Sequence, residues 1–309
     1  MQNNLRNSGQ NSQTNDTFEV TKKELADTIR VTVYGFCPVE NIKAIYKTEG
    51  LNTHKSLIGD YTVMIKDGSK TIYITDFAGT HCPMWLPRNS TVVVENNMIQ
   101  YCRQNFVTSN LCGYSPPQGL SQRYNYDAFF KAIDDAVKLR CTDRPVIAMS
   151  SGHDSGCIVA SAIKQNLEFD IITITAKEKR DIIGHRAKYI EERSDANINV
   201  ISLWETTQNG HEIVAKHIPN RVLLSGLGAD EVLTTADWQL CEEFLKQAQE
   251  TYIDIDVRYP LLDYDVFREW HRLIPELKGY MTSKLPMTKY LEQLDFPYNK
   301  GRKIPFDVT

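Results

Sequence analysis

The sequence predicts an α/β chain: a parallel-sheet domain with a helical C-terminal part, preceded by a small, mainly antiparallel β domain. Three observations predict it. Short β-branched segments crowd the first third, the Gly-, Pro- and Ser-rich stretch Gly113–Gln122 interrupts them, and beyond it short apolar segments alternate with helical patterns. The expected organisation is a tail at 1–16, a β domain at 17–112, a linker at 113–122 and a second domain at 123–309.

In the β domain, Arg30–Tyr34, Tyr61–Lys66, Thr71–Thr75 and Thr91–Val94 are short and rich in β-branched residues. Gly, Asp and Asn turns separate them, and Lys66-Asp67-Gly68-Ser69 reads as a hairpin. After the linker, Tyr126–Leu139 sets Phe129, Phe130, Ile133, Val137 and Leu139 roughly on one helical face. Strands are then expected at Pro145–Met149, Asp170–Thr175, Val200–Leu203 and Arg221–Leu224. The helices between them are expected near 155–165, 185–194 and 211–217. From Ala236 onward the pattern reads as mostly helical.

The chain has 309 residues, 41% hydrophobic and 24% charged, enough to bury a large core without disulfide or metal staples. A net charge of -4 creates no global field for nucleic acid or an anionic membrane, so neither is expected as a partner. The cysteines are Cys37, Cys82, Cys102, Cys112, Cys141, Cys157 and Cys241. Their odd number and the lack of any Cys-x-x-Cys pair suit reduced, mostly buried thiols in a cytoplasmic protein. The first sixteen residues lack the basic-then-apolar profile of a signal peptide and are expected to form a flexible tail.

The chemistry concentrates in Pro145–Ile163, PVIAMSSGHDSGCIVASAI. An apolar strand stops, small residues Ser150-Ser151-Gly152-His153-Asp154-Ser155 follow, and a helix begins. Backbone N–H groups and the helix N-terminus make such a loop an anion cradle. Ser150, Ser151 and Ser155 add hydroxyl donors, while Asp154 would repel a bare phosphate and suits Mg²⁺ carried by it. Serine and aspartate there also serve a plain helix cap. The loop is no Walker A motif, for it lacks the Gly-Lys-Ser/Thr ending. It resembles the Ser-Gly-Gly-x-Asp-Ser loop (PP-loop) of ATP pyrophosphatases, with Ser151 in place of the first glycine.

A second strand end, Arg221–Glu231 (RVLLSGLGADE), also carries glycines and acids. In an open parallel sheet, ligands sit beyond the carboxyl ends of the strands, so Asp154 and Asp230 together suit a Mg²⁺–pyrophosphate clamp. Two further segments are Asp254–Asp263 (DIDVRYPLLD) and Pro297–Phe306 (PYNKGRKIPF).

In this order, the four segments resemble the synthetase domain of class B asparagine synthetases, from about Tyr126 to Thr309. The resemblance implies an adenine-nucleotide α-hydrolase-like fold, with ATP and Mg²⁺ as cofactors. It implies that Ser150, Ser151, Gly152, Asp154 and Ser155 grip pyrophosphate, and that Ala148, Ser225 and Gly226 contact the adenine side. Asp154 and Asp230 would share Mg²⁺. Lys303 matches the lysine that stabilises charge during the reaction, and Asp256, Arg258 and Asp263 match the acid, arginine and aspartate of the third motif. The implied reaction activates a carboxylate (aspartate in the family) as an acyl-adenylate, which ammonia or an amine then attacks. The protein would be an ATP-dependent, AMP-forming ligase of the asparagine-biosynthesis type, with a homodimer possible. Leu227 departs from the family, which places an acid or a tyrosine between those glycines. The alternative is a nucleotide-binding scaffold or regulator of the same fold without turnover, and a tRNA-modifying pyrophosphatase is a weaker third.

Gly59-Asp60-Tyr61 and Thr75-Asp76-Phe77-Ala78-Gly79-Thr80 resemble segments of the amidotransferase half of those enzymes. Glutamine hydrolysis there needs an N-terminal cysteine as nucleophile and base, whereas position 2 here is Gln2. The expectation is a shortened, inactive relic. Incubation with glutamine should therefore release no glutamate above a no-enzyme control, and measurable release would overturn it.

Overall fold

A computed structural model describes residues 29–81, 86, 88, 90–96, 98–104, 121–175, 178–202, 210–219, 221–235, 238–279 and 284–298. Gln2, Cys82, Cys112 and Lys303 lie outside the described residues, as do the tail 1–16 and most of the linker. The molecule is mixed α/β, with one five-stranded antiparallel sheet and one five-stranded parallel sheet. Among the described residues no helix is long and apolar enough to cross a membrane.

The antiparallel sheet is a meander of β1 (Arg30–Phe36), β2 (Asp60–Asp67), β3 (Lys70–Thr75), β4 (Ser90–Glu95) and β5 (Met98–Gln104), in that order. The expected hairpin joins β2 to β3, where Asp67 pairs with Lys70 and Gly68 takes φ +57°. Val63, Ile65, Ile72, Ile74 and Val93 bury one face, and helix α1 (Ile42–Glu49) covers it through Ile42 and Tyr46. Two elements here were not foreseen. β5 is an edge strand whose Met98 and Ile99 are exposed, so no burial signal marks it. α1 buries only Ile42 along its eight residues, which leaves a faint periodicity.

After α2 (Asp127–Arg140), the parallel sheet is built from β6 (Val146–Ala148), β7 (Asp170–Ile174), β8 (Ile198–Ile201), β9 (Val222–Leu224) and β10 (Asp256–Arg258). Between them run α3 (His153–Lys164), α4 (Arg180–Glu191), α5 (Gly210–His217) and α6 (Trp238–Thr251). The strand order is β10-β9-β6-β7-β8. The chain thus steps outward from β6 to β8, returns to the other side of β6 as β9, and goes outward again. Residues 155–163 of α3 are all buried, as a helix packed on a sheet and covered by others must be. α7 (Tyr264–Arg272), α8 (Pro275–Lys278) and α9 (Leu285–Gln293) follow. The C-terminal part is therefore helical except at β10, where Asp256-Val257-Arg258 pairs in parallel with Val222–Leu224. Its charged residues hid this strand from an apolar-run criterion. α4 starts about five residues before its expected position, because its first turn, Arg180-Asp181, is polar and carries no periodic signal.

Cys157 and Cys241 are buried, as expected, whereas Cys37 and Cys141 are half-buried, all four as free thiols. Burial pushes the Cys141 thiol up to about 11, so it stays protonated.

The two sheets meet across buried charge. Arg140, at the end of α2, donates to both Asp60 oxygens at 2.7 and 2.9 Å and to Asp263 at 2.9 Å. Phe77 packs against Tyr264 and Phe267 of α7. Asp76 beside them is buried and accepts from the backbone N–H and hydroxyl of Thr80. Burial first, and the Asp60 charge second, push its carboxyl up to about 7. An unfolded aspartate ionises near pH 4, so across about pH 4 to 7 the folded chain binds the extra proton. Stability from this group therefore falls as pH rises through that window and is flat above it. Asp76→Asn should remove the slope, worth at most about 4 kcal/mol. Denaturant unfolding at about pH 5 and about pH 8 checks this: the variant should gain on the parent at the higher value. An equal difference at both would mean that Asp76 ionises normally.

Candidate functional site

Strand order reverses between β6 and β9, and the loops leaving those two strands must diverge there, opening a crevice. Ser150–Ser155 follows β6 and Ser225–Glu231 follows β9, so both glycine-bearing loops rim this point. Their approach is close. A Cβ on Gly226 would stand 3.0 Å from Asp154 Cβ and 3.2 Å from the Ser155 nitrogen, so any larger residue would have to push the two loops apart. Gly228, at φ +83°, holds the next corner, where a Cβ would strike Cys241 Sγ at 2.9 Å.

Within the first loop, the Ser150 N–H donates to Ser155 Oγ at 3.0 Å, and the two hydroxyl oxygens lie 2.9 Å apart. Gly152 is the extended residue preceding α3, and its N–H donates to Ser150 Oγ at 3.1 Å. Asp154 falls in the first turn of α3. The Ser151 N–H donates to Glu178 Oε2 at 2.6 Å, and its hydroxyl donates to the same oxygen. Two loop donors thus converge on a single anionic oxygen. That is the behaviour an anion cradle requires.

Asp154 and Asp230 converge likewise on one cation, the Lys284 ammonium. Its Nζ donates to Asp154 at 2.5 and 2.6 Å and pairs with Asp230 Oδ1. Lys284 precedes α9 and is nearly buried. Burial alone would lower its pKa, but the two carboxylates outweigh that and raise it, so it is fully charged. Glu231, next to Asp230, has its carboxyl raised, first by burial and then by repulsion from Asp230 and Asp154.

Of the other expected residues, Ala148 ends β6 and leads into the loop, with the Met149 N–H bonded to the Ile172 carbonyl at 2.8 Å. Ser225 sits at the end of β9, its N–H on the Arg258 carbonyl at 3.0 Å and its hydroxyl accepting from the Leu227 N–H. Asp256 and Arg258 belong to a different setting. Arg258 donates through Nε and Nη2 to Asp256, and through Nη1 to the Arg140 carbonyl and Thr142 Oγ1. Its guanidinium lies 3.9 Å from the ring centroid of Phe36 in β1. The structure thus gathers these two side chains at the junction of the sheets, with every Arg258 nitrogen engaged, and not with Ser150–Ser155. Lys303 lies outside the described residues.

Sequence reasoning missed Glu178, Lys284 and Arg186. Arg186, in α4, is fully buried and donates to the Ser150 carbonyl and to the Pro297 carbonyl. No protein-family model matches this chain, and no curated protein matches it significantly.

Proposed function

We propose that the chain is an ATP-dependent, AMP-forming amide ligase resembling asparagine synthetases, built on a PP-loop fold. The observation that carries this reading is the pairing of opposite binding functions at one crevice. Donors of Ser151 meet on an anion, and a few residues away two carboxylates meet on a cation. A metal-bound polyphosphate needs both. The residues fit Mg²⁺: Asp154 and Asp230 offer hard oxygen ligands. Among the described residues no cluster of three or more His, Cys, Asp or Glu completes a metal centre, so phosphate oxygens would supply remaining ligands. When bound, Mg²⁺ would neutralise charge on the departing pyrophosphate.

The protein's own groups then have distinct tasks. Ser150, Ser151 and Ser155, with the N-terminus of α3, bind and orient the β- and γ-phosphates. Ala148, Ser225 and Gly226 line the approach of the nucleoside. Lys284 and Lys303 supply positive charge where negative charge develops. A substrate carboxylate, aspartate being the first choice, attacks the α-phosphorus and pyrophosphate leaves. Ammonia or an amine attacks the resulting acyl-adenylate, AMP departs and an amide remains. The site supports no specific acceptor, since Leu227 packs against the core at the place where the family has an acid.

A second reading, a nucleotide-binding scaffold without turnover, is favoured by one observation: Arg258 and Asp256 serve the sheet junction. Pyrophosphate–ATP exchange against a panel of carboxylic acids, aspartate first, separates the two. Exchange with any acid supports the ligase, and Lys303→Ala should then slow it by about a hundredfold while ATP affinity falls far less. Mg²⁺·ATP binding without exchange leaves the scaffold, and no binding overturns both.

A further inference from the structure

Arg186 carries a buried charge on which the Glu178 and Asp154 carboxylates act only without contact. The side chain is fully buried, with 0% of its surface exposed. Its Nε donates to the Pro297 carbonyl at 2.8 Å, its Nη1 to the Ser150 carbonyl, and its Nη2 has no hydrogen-bond partner among the described residues. Among the described residues it forms no ion pair. A buried guanidinium with one nitrogen unsatisfied is costly and calls for a reason. Burial lowers its pKa only to about 10, so it remains a cation at neutral pH.

Its place supplies the reason. Arg186 reaches from α4 to the first turn of α3, directly behind the anion loop. There Gly156 makes room for it: a Cβ at that position would stand 2.7 Å from Nη2. Its bond to the Ser150 carbonyl, which also accepts from Ser155 Oγ at 3.4 Å, offsets a partial negative charge that would otherwise oppose a phosphate. The Pro297 bond, and the Phe296 ring 5.1 Å away, tie the same cation to the stretch that leads toward Lys303.

We propose that Arg186 is a positioning residue of the phosphate loop, one that orients the Ser150 carbonyl, couples the loop to the C-terminal stretch and places a buried cation behind a bound polyphosphate. This rests on the nucleotide-binding reading above. It adds a requirement that the loop motif does not contain, because the charge comes from a helix some thirty residues later in the chain.

The test measures two ligands separately by calorimetry on the full chain: inorganic pyrophosphate with Mg²⁺, and adenosine. Arg186→Met should weaken pyrophosphate binding by about tenfold or more, the scale of one charge-assisted contact, and leave adenosine affinity unchanged. Arg186→Lys, which keeps the charge, should recover part of the loss. Gly156→Ala, which displaces the guanidinium without removing it, should also weaken pyrophosphate alone. Should Arg186→Met fail to fold, the lysine and Gly156→Ala variants decide. Parental pyrophosphate affinity in the variants, or equal losses for pyrophosphate and adenosine, would overturn the proposal while the nucleotide reading stands. If the parent itself binds neither pyrophosphate nor Mg²⁺·ATP, both fall together.

Discussion

Replacing Asp154 and Asp230 together with asparagine is expected to weaken Mg²⁺·ATP binding by about a hundredfold or more, while metal-free ATP, no longer repelled by two carboxylates, binds no more weakly than before. The magnitude follows from two charge-assisted contacts, each on the order of 1.5–3 kcal/mol. Asparagine keeps the size and one acceptor oxygen but removes the charge on which a divalent ion depends. The structure adds a complication that the sequence did not suggest. Both carboxylates neutralise Lys284, so the double variant leaves a nearly buried ammonium without its counter-charges. A loss of fold would then mimic a loss of metal binding. Adding Lys284→Met to the double variant separates the effects: it should restore thermal stability without restoring metal-dependent binding. Calorimetry with and without Mg²⁺ reads the outcome, and unchanged Mg²⁺·ATP affinity in the double variant would sink the clamp assignment.

The parts of this site visible in the sequence are those whose signal is local. A strand that stops, a run of small residues and a helix that starts fit within Pro145–Ile163, and the β9 loop repeats the device. Glycine marks close approach, and Gly226 does stand against Asp154 and Ser155. Glu178, Arg186 and Lys284 had no such signal. Each is an ordinary charged residue in a polar stretch, brought to the loop by α4 or α9 and chosen by tertiary packing. Charged residues are by default exposed, so a buried one cannot be read from composition. The same limit hid β10, whose three residues include an aspartate and an arginine. The alternating strands and helices beyond the linker predicted a parallel sheet, because a doubly covered sheet demands apolar runs. The order of its strands, and with it the crevice between β6 and β9, follows from a return crossover that no local pattern encodes.

Asp60 shows how a motif can resemble one function and serve another structural end, and it leads to the largest stability effect we expect. Gly59-Asp60-Tyr61 resembles an amidotransferase segment, yet the Asp60 carboxylate joins the two sheets. It accepts Nε and Nη2 of Arg140 and, at 3.1 Å, the Tyr259 N–H that follows β10. Arg140 spends its remaining nitrogen on the Ala136 carbonyl and on Asp263, which caps α7 through the Asp265 N–H at 2.9 Å. A single buried guanidinium therefore links β2, α2 and α7. Arg140→Met fills the space but strands Asp60, whose side chain is only 3% exposed, as an unpaired buried charge. Breaking such a pair from one side costs about 3–5 kcal/mol. Arg140→Met with Asp60→Asn should recover much of that, because no buried charge is then left without a partner. A double-mutant cycle by denaturant unfolding measures the coupling. If Arg140→Met unfolds within about 1 kcal/mol of the parent, the junction is not held by this charge and the sheets rely on the apolar contacts of Phe77.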